Sequence, residues 1–216
     1  MDGNARWARE NNHSLAEAHA FGAKNAWDLI PSFIDLQIPY VTLYSFSSEN
    51  WSRDEEEKNH LMDLFSYYLH NKIDELRQQG VKLKIIGRID NLSRELQHKI
   101  AQAMELTKDS SKLTLAVAFG YGGRSEIIDA CQKIIDSGTR QVNEEIFKGN
   151  LYDPDMPNVD IMIRTGKAHR ISNFLLWQAA YAELFFLDKY WPDFDVGELK
   201  ECLENFWSRE RRFGKR

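Results

Sequence analysis

Apolar positions fall into two kinds of run that alternate along the chain. "PYVTLYSF" (Pro39 to Phe46) is short and β-rich, and it predicts a buried strand. From Asp54 to Gln79 the apolar residues Leu61, Phe65, Leu69, Ile73 and Leu76 recur at spacings of three and four. That spacing predicts one long amphipathic helix, closed by Gly80. "VKLKIIG" (81–87) is the next strand. Ser93 is placed to cap a helix running to about Thr107. "LTLAVAFG" (113–120) predicts a strand and "GGRSEIIDACQKII" (122–135) a helix. "VDIMIRTG" (159–166) predicts a strand, "SNFLLWQAAYA" (172–182) a helix, "ELFFL" (183–187) a short strand, and Val196 to Ser208 a final helix.

Strands alternating with helices imply an α/β fold with a mostly parallel central sheet flanked by helices. Ligands of such sheets bind beyond the carboxyl ends of the strands, so the polar loops there are the places to look. The 216 residues contain no internal repeat, low-complexity segment or Pro/Gly-rich linker, which predicts a single domain over 1–216.

Composition narrows the chemistry. A net charge of −5 argues against an electrostatic grip on nucleic acid, while local basic clusters remain able to hold a small anion. Cys131 and Cys202 form no CxxC and suggest no disulfide framework, which fits a reducing cytoplasm. No apolar run is long enough to span a membrane, and the first residues do not resemble a signal peptide.

Four loops carry candidate chemistry: Asp2–Arg6, Phe46–Arg53 ("FSSENWSR"), Gly120–Glu126 ("GYGGRSE") and Arg164–Asn173 ("RTGKAHRISN"). In the last, Arg164, His169 and Arg170 precede Ser172, at the expected start of a helix. Helix N-termini offer free N–H groups to phosphate, and arginines add forked donors. The plainer reading makes Ser172 a helix cap and turns the arginines to solvent. "TGK" is not a P-loop, because Ile161 and Ala168 stand where Gly and Ser or Thr are needed. "GYGGRS" is not GxGxxG, because Ser125 replaces the last glycine. Histidine spacing gives no zinc motif. A hard ion such as Mg²⁺ needs only one or two carboxylates plus substrate phosphate, for which Asp2 and Glu183 are candidates. Most of the abundant aromatics belong to a core, and some would line an apolar cleft.

Together "MDGNARWA", "LYSFSSENWSR", "YGGR", "RTGKAHRISNFLLWQAAYAEL", "WPDF" and "RERRFG" resemble the cis-prenyltransferase family, in family order and over nearly the whole chain. The resemblance implies an enzyme that condenses isopentenyl diphosphate with an allylic diphosphate, usually farnesyl diphosphate, making cis double bonds and releasing pyrophosphate. The expected product is a longer polyprenyl diphosphate such as undecaprenyl diphosphate. The resemblance also implies Mg²⁺, a homodimer, a hydrophobic tunnel within the domain, and a lipid product that brings the protein to the membrane surface.

By the same resemblance, Asp2 matches the essential aspartate that engages Mg²⁺ and helps the proton leave. Gly3, Asn4, Arg6 and Trp7 match the allylic diphosphate loop, and His19 a histidine contacting that diphosphate. Ser47 and Asn50 match a polar pair near the reacting carbon, Asn50 being the second catalytic candidate, with Trp51 and Arg53 beside them. Arg164, Arg170 and Ser172 match the isopentenyl diphosphate clamp. His169 and Glu183, with Asp2, match residues at the metal. Arg212 and Gly214 match an element that reaches the partner subunit's site.

The family has a strand before its Met–Asp–Gly–Asn, which is expected to be absent before Met1. Other departures are Leu15 and Ala18 in the arginine–glycine element before His19, Asp54 for proline, Gly120 for asparagine, and Lys167–Ala168 for Gly–Glu. The competing expectation is a non-catalytic subunit of a heteromeric prenyltransferase. Trans-prenyl synthases are excluded by the lack of adjacent aspartates, and a phosphate-ester hydrolase by the lack of a nucleophile elbow.

Overall fold

The computed structural model describes residues 1–209. They belong to two compact units. One is built from Met1–Leu36, Asn158–Ser172 and the chain from Gln178; the other from Gln37–Pro157 and Asn173–Trp177.

The second unit is organised by a three-stranded parallel sheet of order β1-β3-β2: β1 (Tyr40–Ser47), β2 (Val81–Ile86) and β3 (Leu113–Tyr121). The central strand β3 is buried along nearly its whole length, as its continuous apolar sequence requires. A 3₁₀ turn, Ser48–Ser52, follows β1, and α4 (Glu55–Asn71), α5 (Ile73–Gln79), α6 (Arg94–Thr107), α7 (Gly123–Asp136) and α8 (Glu144–Lys148) complete the unit. Ser93 does cap α6, its hydroxyl accepting from the Leu96 N–H at 3.2 Å.

The expected single helix over 54–79 is two. Its apolar residues recur mostly every fourth position, and each such step advances about 40° around a straight helix. Such a row drifts off one face. At Lys72 (φ −121°, ψ −4°) the helix breaks and α5 restarts, and Leu69, Ile73 and Leu76 are all buried. Gly80, left-handed at φ 80°, ends α5 as expected.

The other unit contains α1 (Asn4–Glu10), α2 (Leu15–Asp28), α3 (Ile30–Asp35), a parallel pair of β4 (Ile161–Arg164) and β5 (Glu183–Phe186), a 3₁₀ turn Trp191–Asp193, and α9 (Val196–Trp207). A capping box, Ser14 with Glu17, starts α2. Every strand pairing in both sheets is parallel, in agreement with the α/β expectation. Among the described residues no helix is long and apolar enough to cross a membrane.

The helix expected over 172–182 does not form; the segment is a series of turns. Ser172 (φ 48°), Asn173 (φ 62°) and Leu175 (φ 43°) are left-handed, which no right-handed helix accommodates. Tertiary bonds within the second unit hold this geometry. The Asn173 carbonyl accepts from Gly123 N–H at 2.7 Å, its Oδ1 accepts from Arg124 N–H at 2.8 Å, and its Nδ2 donates to Glu49 at 2.9 Å. Asn173 thereby satisfies donors at the start of α7, and Phe174 stacks on Tyr44. These contacts override a helical pattern that was only local.

Candidate active site

The first unit concentrates charge around Asp2. The "loop" expected over 2–6 is mostly helical: Gly3, left-handed at φ 111°, is the cap, and Asn4, Ala5 and Arg6 form the first turn of α1. This puts Arg6 one turn from Asp2, where its Nη2 donates to Oδ1 at 2.9 Å. At the C-terminal end of β4, Arg164 donates from Nη2 to Oδ2 of Asp2 at 2.7 Å. The other terminal nitrogen, Nη1, donates to Ser172 Oγ at 2.6 Å and to the Arg170 carbonyl. The Asp2 main chain is fixed separately: its carbonyl accepts from Thr165 Oγ1 at 2.7 Å and from Trp191 N–H at 3.1 Å.

Burial pushes the Asp2 carboxyl up, but hydrogen bonds and charge from Arg164 and Arg6 outweigh it and hold the group below the usual aspartate range. The carboxylate is therefore ionised throughout the neutral range. Two polar atoms nearby are buried without a hydrogen bond among the described residues: Arg164 Nε and Asn4 Oδ1. Buried polar groups are nearly always paired, so Arg164 Nε is an open donor that an anion could fill, whereas Asn4 Oδ1 is an open acceptor. Gly166, at φ 88°, packs so closely that an added Cβ would lie 2.8 Å from Arg6 Nη2 and 3.0 Å from Asp2 Cγ.

A platform lies against these groups. Tyr190 packs on Gly3, and Trp7 donates from Nε1 to Asp193 at 2.7 Å. Trp191 donates to the Gly22 carbonyl at 2.7 Å, and Gly22 closes on Asn4. Ala18, fully buried in a cluster with Trp7, Ala8 and Tyr190, occupies a place with no room for a long side chain. Thr165, Tyr190, Trp191 and Asp193 were missed as supporting residues from sequence, although "WPDF" was the visible signal.

The expected site residues do not all meet. Asp2, Gly3, Asn4, Arg6, Arg164, Arg170 and Ser172 gather as described. The helix N-terminus expected at Ser172 is absent, and Ser172 serves instead as an acceptor for Arg164. His19 sits half-buried on α2. His169 is exposed and stacks on Phe186, with centroids 5.3 Å apart. Glu183, at the start of β5, pairs with Arg209. No group of three or more His, Cys, Asp or Glu able to hold a metal occurs among the described residues. Asp2 alone fits Mg²⁺ in the manner open to that ion, one carboxylate plus substrate phosphate oxygens. Each of its oxygens accepts one hydrogen bond from an arginine and keeps a lone pair. Arg212 and Gly214 lie outside the described residues.

Ser47, Asn50, Trp51 and Arg53 belong to the second unit. Asn50 Oδ1 accepts from Ser47 N–H at 2.9 Å, Trp51 packs edge-on against Phe46, and Arg53 pairs with Glu57. Gly120, where the family motif has asparagine, is left-handed at φ 61°, and an added Cβ would lie 2.7 Å from the Arg88 carbonyl oxygen, so the backbone here fits glycine.

Parallel strands and a strand-end cluster of arginines around an ionised carboxylate give an α/β fold with a charged site of the kind that suits an anionic ligand. Residues 1–214 match the family model described as putative undecaprenyl diphosphate synthase, and the chain belongs to this cis-prenyltransferase family. It is 53% identical to an isoprenyl transferase of Rickettsia typhi, over 100% of this chain and 96% of that one. It is 41% identical to an isoprenyl transferase of Thermotoga maritima, over 99% and 94%. Among solved structures it resembles a lavandulyl diphosphate synthase of Lavandula x intermedia in complex with dimethylallyl diphosphate. That likeness has a TM-score of 0.94 and 29% identity, covering 100% of this chain and 95% of that one. It also resembles a probable undecaprenyl diphosphate synthase of Campylobacter jejuni, with TM-score 0.83 and 35% identity over 91% and 93%. The protein is a prenyl transferase.

Proposed function

We propose that the enzyme condenses isopentenyl diphosphate with an allylic diphosphate, farnesyl diphosphate in the first instance, to give a longer polyprenyl diphosphate of the undecaprenyl type and pyrophosphate. The observation that carries this reading is the Asp2 carboxylate held between Arg6 and Arg164, with the Arg164 Nε donor buried and unpaired beside it. Breaking the allylic C–O bond puts negative charge on the departing diphosphate, and fixed guanidinium groups stabilise it without reorganising. Arg164 and Ser172 orient a second diphosphate, so that positioning converts a bimolecular encounter into a local one. Asp2, ionised and half-exposed, accepts the proton lost when the new bond forms.

Mg²⁺ held by Asp2 would supply further neutralisation of diphosphate charge. Of the stacked rings Phe46, Phe119 and Phe65 in the second unit, the first two are buried core, and half-buried Phe65 is the one that can offer apolar surface to a growing prenyl chain. The reading also takes the protein as a cytoplasmic homodimer whose lipid product draws it to the membrane surface, with Arg212 and Gly214 completing the neighbour's site. The deciding experiment incubates the protein with farnesyl diphosphate, isopentenyl diphosphate and Mg²⁺ and resolves products by mass. Ladders rising by one five-carbon unit support the reading; recovery of unreacted substrates only, from folded protein, overturns it.

A further inference from the structure

Lys167 is in an unusual position. It is left-handed, at φ 57°, a conformation costly to a long side chain, and it is exposed, so no core packing compels it. Its backbone is tied down, with the Lys167 N–H donating to the Leu187 carbonyl at 3.2 Å and the Gly166 N–H donating to the Lys189 carbonyl. Its ammonium sits 4.7 Å from the centroid of the Tyr190 ring. The Arg6 guanidinium lies against the same ring at 5.7 Å. Tyr190 is buried, its hydroxyl donates to Glu10 at the end of α1, and its ring touches Gly3 so closely that a Cβ there would come within 2.8 Å. Hydrogen bonding to Tyr190 and the charge of Glu10 both favour the protonated lysine.

The chain of contact is continuous. Lys167 grips the face of Tyr190, Tyr190 underlies Gly3 and is anchored to α1, and the neighbouring Gly166 abuts Asp2 and Arg6. We propose that Lys167 is a positioning residue for the diphosphate clamp: seated on Tyr190, it straps the 164–167 turn against the Asp2–Gly3 segment and so sets the affinity for a diphosphate. The family motif has glycine here, so this chain exchanges a flexible turn for a pinned one. The inference rests on the prenyl-transfer reading and deepens it.

The test is calorimetric binding of inorganic pyrophosphate with Mg²⁺, beside steady-state kinetics. The proteins are wild type, Lys167→Gln, Lys167→Arg, Tyr190→Leu and the Lys167→Gln/Tyr190→Leu double variant, with Arg164→Ala as control. A cation on an aromatic face at an exposed position is worth enough to shift binding about twofold to fivefold. Lys167→Gln is expected to weaken pyrophosphate binding and raise KM for isopentenyl diphosphate by that factor, with kcat changed less than about twofold. Lys167→Arg, which keeps the cation on the ring, restores both, and the double variant is no weaker than Tyr190→Leu alone. Unchanged binding in Lys167→Gln, no rescue by arginine, or losses that multiply in the double variant would overturn the strap. Should Tyr190→Leu fail to fold by circular dichroism, the glutamine and arginine variants decide alone. Failure of the underlying reading looks different: wild type would not bind pyrophosphate, or Arg164→Ala would bind it equally well.

Discussion

Asp2 and Arg164, 162 positions apart in the chain, meet through a 2.7 Å hydrogen bond between carboxylate Oδ2 and guanidinium Nη2. The contact joins a residue two positions before α1 to the end of β4, and it makes the carboxylate a shared acceptor for two arginines rather than a free surface charge.

Replacing that carboxylate should be severe. Asp2→Ala is expected to lower Mg²⁺-dependent turnover by more than about a hundredfold, the scale of losing one preorganised electrostatic group. Product formation measured by radiolabelled isopentenyl diphosphate checks it, and near-normal turnover would remove Asp2 from the mechanism.

The pairing also has a pH signature. Arg164 and Arg6 hold the Asp2 carboxyl below its usual range against the opposing effect of burial, so the folded chain binds that proton less readily than the unfolded one. The stabilisation is complete above the ordinary aspartate value near pH 4 and fades as pH falls through the lower folded value. Melting temperatures of wild type and Asp2→Asn should therefore differ at about pH 6, and the gap should narrow progressively as pH falls below about 4. A gap that stays constant with pH would contradict the assignment.

Gly166 admits no side chain without disturbing this pair. Gly166→Ala brings Cβ within 2.8 Å of Arg6 Nη2 and imposes a left-handed backbone on alanine. The expected cost is about 2 kcal/mol of stability. Turnover should fall as well, because Arg6 must move. Urea denaturation and initial rates give the two readouts, and an alanine variant equal to wild type in both would show that the turn relaxes freely.

In the second unit, Asp153 is almost fully buried, accepts from Tyr40 and pairs with Lys84 at 2.5 Å. Asp153→Ala strands the Tyr40 hydroxyl and leaves Lys84 only its longer contact with Asp155 at 3.4 Å, and it should destabilise the protein by about 3 kcal/mol. Chemical denaturation tests this, and a loss under about 1 kcal/mol would mean the partners find water.

Shared sites in the proposed homodimer predict complementation. Mixing Asp2→Ala with Arg212→Ala subunits puts both lesions in one site of a mixed dimer and leaves the other intact. Random exchange should restore about a quarter of all sites. Proven exchange with no recovered activity would mean that Arg212 does not act across an interface.

Much of the fold was legible because burial and periodicity coincide. β3 reads as a buried strand since it lies between two others, and Ser93 reads as a cap since its hydroxyl bonds locally. What depended on distant partners was not legible. Lys72 breaks a helix because of where Leu69, Ile73 and Leu76 must pack. Asn173 abandons helical geometry for bonds to Gly123, Arg124 and Glu49. The α2 helix was overlooked although Ser14 and Glu17 spell a capping box. Of the site, Asp2, Arg6 and Arg164 were identifiable by motif. Their mutual pairing, and the support from Thr165 and Tyr190, required the chain to be folded.

The backbone carbonyl of Asp2 is held by Thr165 and by Trp191 independently of anything its side chain does. Position 2 is thus riveted by its main chain and free to vary in its functional group. An allelic series there, from aspartate through asparagine and glutamate to alanine, becomes a nearly pure titration of chemistry against a constant scaffold. That separation makes this position the place to ask how much of the rate one carboxylate supplies.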